Sequence, residues 1–285
     1  MSASGEPNEG HKLNGAARVW RALRASPIFS KCARFVRAHA AFLAACCVLA
    51  AAYLGAVTNP LDDTLGALRA RALARAPSGS IVVVEIDSRS LREAEQWPWP
   101  RSNFAQAIHN LRVAGAGLIG FDVDFSARSS PEDDDALRNA LGSDPGSVIL
   151  PTFLQRGGDE NTPLAALSAD SVLASVNIPI DADGRVRRYN SGILHGARYH
   201  ASMASALSGA PYGDTSQFLI DYGIRAAAID HLSFHDVLQG SFDPARVRGK
   251  TILIGATALE LGDNFSTPAS PTTPGVYIHA LAYES

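Results

Sequence analysis

SIVVVEID, residues 80–87, is a β-branched run that ends in a carboxylate, and two later stretches repeat its form. GLIGFDVDF (117–125) is again an apolar run closed by acids, and SVILP (147–151) is a third, shorter one. Helical signals lie between them. Phe104, Ile108 and Leu111 recur at helical spacing. SPEDDDALRNAL (130–141) opens with Ser130 as a candidate N-cap, Pro131 in the first turn and acids that favour a helix start. Strands too apolar to alternate, separated by helices, predict a parallel sheet covered on both faces. GKTILIGAT (249–257) returns to a buried strand, whereas ASVNIPI (174–180), the turn DADGRVRRY (181–189) and QFLIDYG (217–223) predict mixed or antiparallel additions. The expected class is α/β: a mostly parallel central sheet flanked by helices, with mixed-strand additions.

Charge divides the chain. Seven Lys/Arg against two Glu give residues 1–37 a net +5, and residues 38–59 contain no Asp, Glu, Lys or Arg. With −3 overall, the remainder carries −8. An acidic body argues against broad nucleic-acid binding, which needs a positive footprint. The uncharged stretch AHAAFLAACCVLAAAYLGAVT (38–58) has about the ~20 residues a helix needs to cross a bilayer. Arg34 and Arg37 before it, and Asp62 and Asp63 after it, predict an N-terminus that stays in the cytoplasm. Arg69, Arg71 and Arg75 temper that asymmetry without reversing it. The leader is long and the apolar run exceeds the roughly 7–15 residues of a signal peptide, which favours an uncleaved anchor. TLGALRARALARA (64–76) has helical periodicity. Cys32, Cys46 and Cys47 all precede the main body, so that body can form no disulfide and rests on its own core.

EQWPWPRSNFAQAIHNL (95–111) holds Trp97 and Trp99, each followed by proline. Proline fixes its own φ and pushes the preceding residue toward extended conformations, so the stretch is a stiff strap. It leads to a helix that Ser102 is placed to cap. The rings serve either as packing against the sheet or as a stacking face for a ligand.

Chemistry is sought at the strand ends, where ligands bind in open α/β sheets. Glu85 and Asp87 share one strand face by the two-residue repeat, as do Asp122 and Asp124. Such acids can hold Mg²⁺ or Ca²⁺ or meet a cationic ligand; equally, they can cap helices or pair with Arg89, Arg101 and Arg128. FDVDF also invites comparison with phosphotransferases that use two aspartates, but the flanking Thr-Gly context and a lysine are missing. His231 and His235 have a zinc-like spacing with Ser233 between them as a cap, and no third ligand. No phosphate loop of the Gly-x4-Gly-Lys-Ser/Thr kind and no nucleophile elbow occurs.

VVVEIDSRSL (82–91), WPWPR (97–101), AGAGLIGFDVDF (114–125), DADGRVRRY (181–189), FHDVLQG (234–240), VRGKTILIGATALELGDNFSTP (247–268) and PGVYIHALA (274–282) follow one another in order. Together they resemble the type 2 CHASE domain, the sensory extracellular module associated with bacterial cyclases and histidine kinases. The resemblance implies a basic cytoplasmic leader (1–37), a transmembrane helix (38–58) and a periplasmic sensor domain (62–285) in the bacterial inner membrane. It also implies that further membrane helices and a cytoplasmic output would normally follow, so the chain reads as truncated before them. Any cyclase, phosphodiesterase or kinase activity would reside in that output, and the chain itself is expected not to be an enzyme. The expected ligand shell is Asp87, Trp97, Trp99, Arg101, Asp122, Asp124 and Asp263, brought together by strand-end logic. No cofactor is expected beyond a divalent cation, for which Asp87, Asp122 and Asp124 are the candidates. Expected partners are the inner membrane, an unidentified small molecule or ion, and a second copy in a homodimer, with no nucleic acid. A periplasmic metal-dependent hydrolase using the same acids and a membrane-tethered scaffold are the alternatives.

Overall fold

The computed structural model describes Lys31, Phe35 and residues 39–54, 74–94, 97–155 and 158–285. The chain divides into two units, Met1–Thr64 and Leu65–Ser285. In the first, helix α1 (Ala40–Leu54) runs for 15 residues without a charged side chain. Among the described residues no helix is long and apolar enough to cross a membrane. Both ends of the span expected at 38–58, and most of the helix expected at 64–76, lie outside the described residues. Within that second stretch, Arg75 forms an isolated parallel bridge to Ile224.

The second unit begins with β1 (Ile81–Ile86), α2 (Ser88–Glu93), α3 (Arg101–Val113), β2 (Ile119–Asp122) and α4 (Pro131–Gly142). It continues through β3 (Val148–Leu154), β4 (Glu160–Asn161), α5 (Ala165–Ser168), β5 (Val172–Ser175) and β6 (Arg188–Asn190). Next come the hairpin β7 (Gly192–His195) and β8 (Arg198–Ala201), then α6 (Met203–Ser208), β9 (Gln217–Leu219), β10 (Asp230–Ser233) and α7 (Phe234–Gln239). The chain closes with β11 (Thr251–Ala256), the small pair β12 (Asn264–Phe265) and β13 (Thr273–Pro274), and helix α8 (Gly275–Glu284).

The central sheet runs β10-β1-β11-β2-β3, with β5 also parallel to β3 and β4 antiparallel to it. The late strand β11 is inserted between β1 and β2, in register with both. That position explains its unbroken apolar run, because a strand paired on both sides and covered on both faces has no solvent side. Ile252, Leu253 and Ile254 are fully buried. The mixed additions hold for β6 with β9, and the structure adds an antiparallel hairpin, β7–β8, that the sequence reading did not contain. Ala174 and Ser175 do not belong with them. They finish β5 in the parallel sheet, because β3 offers Ile149–Thr152 as a free parallel edge.

Alternate residues define two layers. Val82, Val84 and Ile86 of β1 join Trp99, Phe104, Ile108, Phe121, Phe125 and Phe234 on one face, beneath α3, α4 and α7. Ile81 and Val83 join Tyr189, Met203, Ile224, Val276 and Ile278 on the other, beneath α6 and α8.

The strap at 97–101 belongs to the first layer. Trp99 is 4% exposed and stacks on Phe234 at 5.0 Å, with Trp97 edge-on to it at 5.0 Å. The rings therefore act as packing. Ser102 is not the cap of α3. The helix starts one residue earlier, Pro100 holds the cap position without a side-chain bond, and the Ser102 N–H reaches Asp133 Oδ1 at 3.4 Å. Ser130 does cap α4, accepting from the Asp133 N–H.

Trp99→Ala is expected to cost about 3–5 kcal/mol of stability, and Trp97→Ala clearly less, because only Trp99 is fully enclosed. Urea unfolding of the two variants checks this; equal losses would contradict the packing described.

Candidate functional site

Three neighbouring strands end in a lateral row on the second face. Register pairs Glu85 of β1 with Gly255 of β11, and Gly255 with Asp122 of β2. The middle position carries no side chain, and α8 sits over it. A Cβ placed on Gly255 would lie 2.8 Å from the Val276 Cβ and 3.1 Å from the Asp122 Cβ. Neither position can give way easily, because Val276 is fully buried and its Cβ lies next to the backbone. Glycine is therefore what lets the helix settle between two carboxyl groups.

α8 then addresses one carboxyl group on each side. The Tyr277 hydroxyl donates to Glu85 Oε1 at 2.7 Å. On the other side, His279 Nε2 stands 3.6 Å from Asp122 Oδ2, and its Nδ1 is 2.5 Å from the Tyr189 hydroxyl. The His279 side chain is 1% exposed and that of Asp122 13%. Asp263 completes the group from the loop after β11. Its backbone carbonyl accepts from the Gly275 N–H, and a Cβ on Gly275 would meet its Oδ2 at 2.3 Å. A side chain there would have to displace the Asp263 carboxylate where the helix begins.

Burial sets the proton affinities of this group. Loss of water pushes the Asp122 carboxyl up to about 7. Asp263 rises to about 6, through desolvation first and then the neighbouring Asp122, with His279 and the Gly275 N–H opposing. Desolvation pushes the His279 ring down to about 4 against the pull of Asp263. Burial likewise raises the Tyr189 hydroxyl above its ordinary value. At neutral pH the imidazole is uncharged, and Asp122 is the group poised to exchange a proton.

The seven residues expected in one ligand shell are divided by the sheet. Asp122 and Asp263 come together, joined by His279 and Tyr189. Asp124 stays near Asp122 at the rim of a hollow of about 210 Å³, where it accepts from the Ser126 N–H and from Asn161. Asp87 does not share the Glu85 face, because β1 ends at Ile86. Its carboxylate caps α2 through the Ser90 N–H at 2.7 Å and also accepts from the Ser233 hydroxyl. Arg101 is 6% exposed and pairs with Asp134 at 2.6 Å, donating also to the carbonyls of Phe125 and Ala127. Trp97 and Trp99 lie in the opposite layer. Among the described residues no three His, Cys, Asp or Glu side chains are grouped to hold a metal ion. Tyr277 and His279 were legible only as members of PGVYIHALA, and Gly255 only as an interruption of ILIGAT.

The family model for the CHASE2 domain matches residues 40–285, most of the chain and all of this sheet. The chain belongs to the CHASE2 family. CHASE2 domains are sensory extracellular domains, and the resemblance carried by the seven ordered motifs is borne out. Comparison with curated proteins and with solved structures returns no match. In this CHASE2 domain the family stretch GVYIHALA is α8, the helix that bridges the carboxyl row.

Proton linkage gives a test. Folded Asp122 keeps its proton to about pH 7, whereas the unfolded chain releases it near 3.8. The folded state therefore binds more protons across that window, and stability falls as pH rises through it. Asp263 acts in the same direction up to about 6, while His279, lowered from 6.5 to about 4, acts against both. Asp122→Asn is thus expected to raise the melting temperature more at pH 8 than at pH 5. Equal shifts at both pH values would show that Asp122 is already ionised in the folded protein at pH 5 and that burial does not hold its proton.

Proposed function

We propose that this CHASE2 domain is the periplasmic sensory part of a bacterial signal-transduction system, tethered to the inner membrane through residues 38–58. It reads a small molecule or ion at the strand ends and passes the result to the membrane-proximal segments through α8. Any catalytic step belongs to an output outside residues 62–285.

One observation carries the reading: the far end of α8 holds the segment by which the chain enters the domain. The Glu284 carboxylate accepts from the Ser78 N–H and from the Ser78 hydroxyl, both at 2.8 Å. Arg75 donates to the Glu284 carbonyl at 2.6 Å and pairs with Asp221 at 2.7 Å. The Tyr283 hydroxyl lies 3.3 Å from that of Ser80. A single ten-residue helix thus touches Glu85 and Asp122 near its start and residues 75–80 at its end.

Magnitude favours a movable contact over a permanent staple. The Arg75 and Asp221 side chains are 45% and 40% exposed, and ion pairs in that setting contribute about 0–1 kcal/mol. A ligand that distinguishes two placements of α8 by a few kcal/mol would outweigh such a clamp.

Alkaline phosphatase joined after Ser285 is expected to be active in living bacteria, and a fluorescent protein joined at the same place to stay dark. The reverse pattern would overturn the periplasmic placement.

A further inference from the structure

On the Glu85 side of α8, a cleft of about 530 Å³ opens between the helix and the segment around Ile224. That size lies within the range of about 300–1,000 Å³ that small-molecule sites occupy. Its walls include Tyr222, Tyr277, Ile224 and Leu281, and its two charged groups of opposite sign are Glu85 and Arg225.

The wall rings are held by their own hydroxyls. Tyr222 donates to the Val186 carbonyl at 2.7 Å, and Tyr277 to Glu85 at 2.7 Å. The two charged groups, by contrast, keep unused capacity. Among the described residues, Tyr277 is the one hydrogen-bond partner of the Glu85 carboxylate, through Oε1. Arg225 lines the cleft as an exposed residue, and among the described residues its guanidinium makes no hydrogen bond or ion pair. A carboxylate with a free oxygen and a fork of five N–H donors, set in one mostly apolar cleft, are complementary to an ammonium and a carboxylate on one small molecule.

We infer that this cleft binds a free α-amino acid with an apolar side chain. Its ammonium group meets Glu85 beside Tyr277, its carboxylate meets Arg225, and its side chain lies along Ala226, Ala227 and Pro274. Cation–π attraction to the tyrosine faces adds to the ammonium contact. The inference deepens the sensor reading and rests on it, because Glu85 is also the anchor of α8. A bound ammonium competes with or reinforces the Tyr277 hydroxyl on the same carboxylate. A second cleft, of about 900 Å³, shares Tyr222 and Arg225 and is lined by residues 74–77, so the ligand would sit next to the incoming chain.

The test is calorimetric titration of the full chain in lipid nanodiscs with L-leucine and L-phenylalanine. Two half-ligands accompany them: 3-methylbutylamine, which lacks the carboxylate of leucine, and 4-methylpentanoate, which lacks its ammonium. Glu85→Gln keeps an acceptor for Tyr277 and so leaves melting nearly unchanged. It is expected to weaken leucine and the amine about tenfold or more while sparing the acid. Arg225→Gln is expected to do the opposite, weakening leucine and the acid and sparing the amine. Failure of both amino acids to bind, or binding indifferent to both substitutions, would overturn the inference. If neither binds but another metabolite shifts melting, the ligand class falls and the sensor reading stands. If leucine binds with this selectivity yet residues 75–80 do not respond, the site stands and the sensor reading falls.

Discussion

The arrangement depends on the absence of a side chain at Gly255. Parallel register fixes Glu85, Gly255 and Asp122 as neighbours across three strands, and any larger residue at the centre would lift α8 from the sheet. With glycine there, one helix seats between two carboxyl groups, giving a tyrosine hydroxyl to one and a histidine ring to the other. Everything proposed for signalling follows from that seating, because the same helix ends on the segment that leads into the domain.

The two sides of the helix are chemically unlike. On the Asp122 side, desolvation dominates: the carboxyl group holds its proton to about pH 7 and the His279 ring stays neutral. That side fixes the helix through the buried His279 ring and its contact with Tyr189. On the Glu85 side a cleft remains, and the carboxylate is shared between the helix and open volume. One side therefore anchors α8 and the other can be occupied, which is the asymmetry a responsive module requires. The exposed contacts at Arg75 and Ser78 are weak enough to follow.

Much of this fold was legible in the sequence. The β-branched runs at 80–87, 117–125 and 147–151, with the helical spacing between them, contain the parallel sheet, and Ser130 with Pro131 announces α4 correctly. Register and order were not legible, because nothing local in ILIGAT says that β11 inserts between β1 and β2. The site suffered from the same gap. Asp87 and Asp122 look equivalent as strand-end acids, but β1 stops one residue short and turns Asp87 into a helix cap. Asp122 keeps its place on the inner face. The Trp-Pro strap is conspicuous in composition, yet its rings fill the opposite layer. Tyr277 and His279 carry no local mark of their role. Only the tertiary docking of α8 over glycine brings them to the carboxyl groups.

The most direct measurement is hydrogen exchange, read by mass spectrometry, on the full chain carrying Gly255→Ala. Displacing α8 from its seat is expected to speed exchange in residues 275–284 and, together with them, in the segment 75–80, while β2 and β3 keep their protection. Faster exchange confined to the strand ends and the start of α8, with residues 75–80 unchanged, would contradict the coupling on which this account stands.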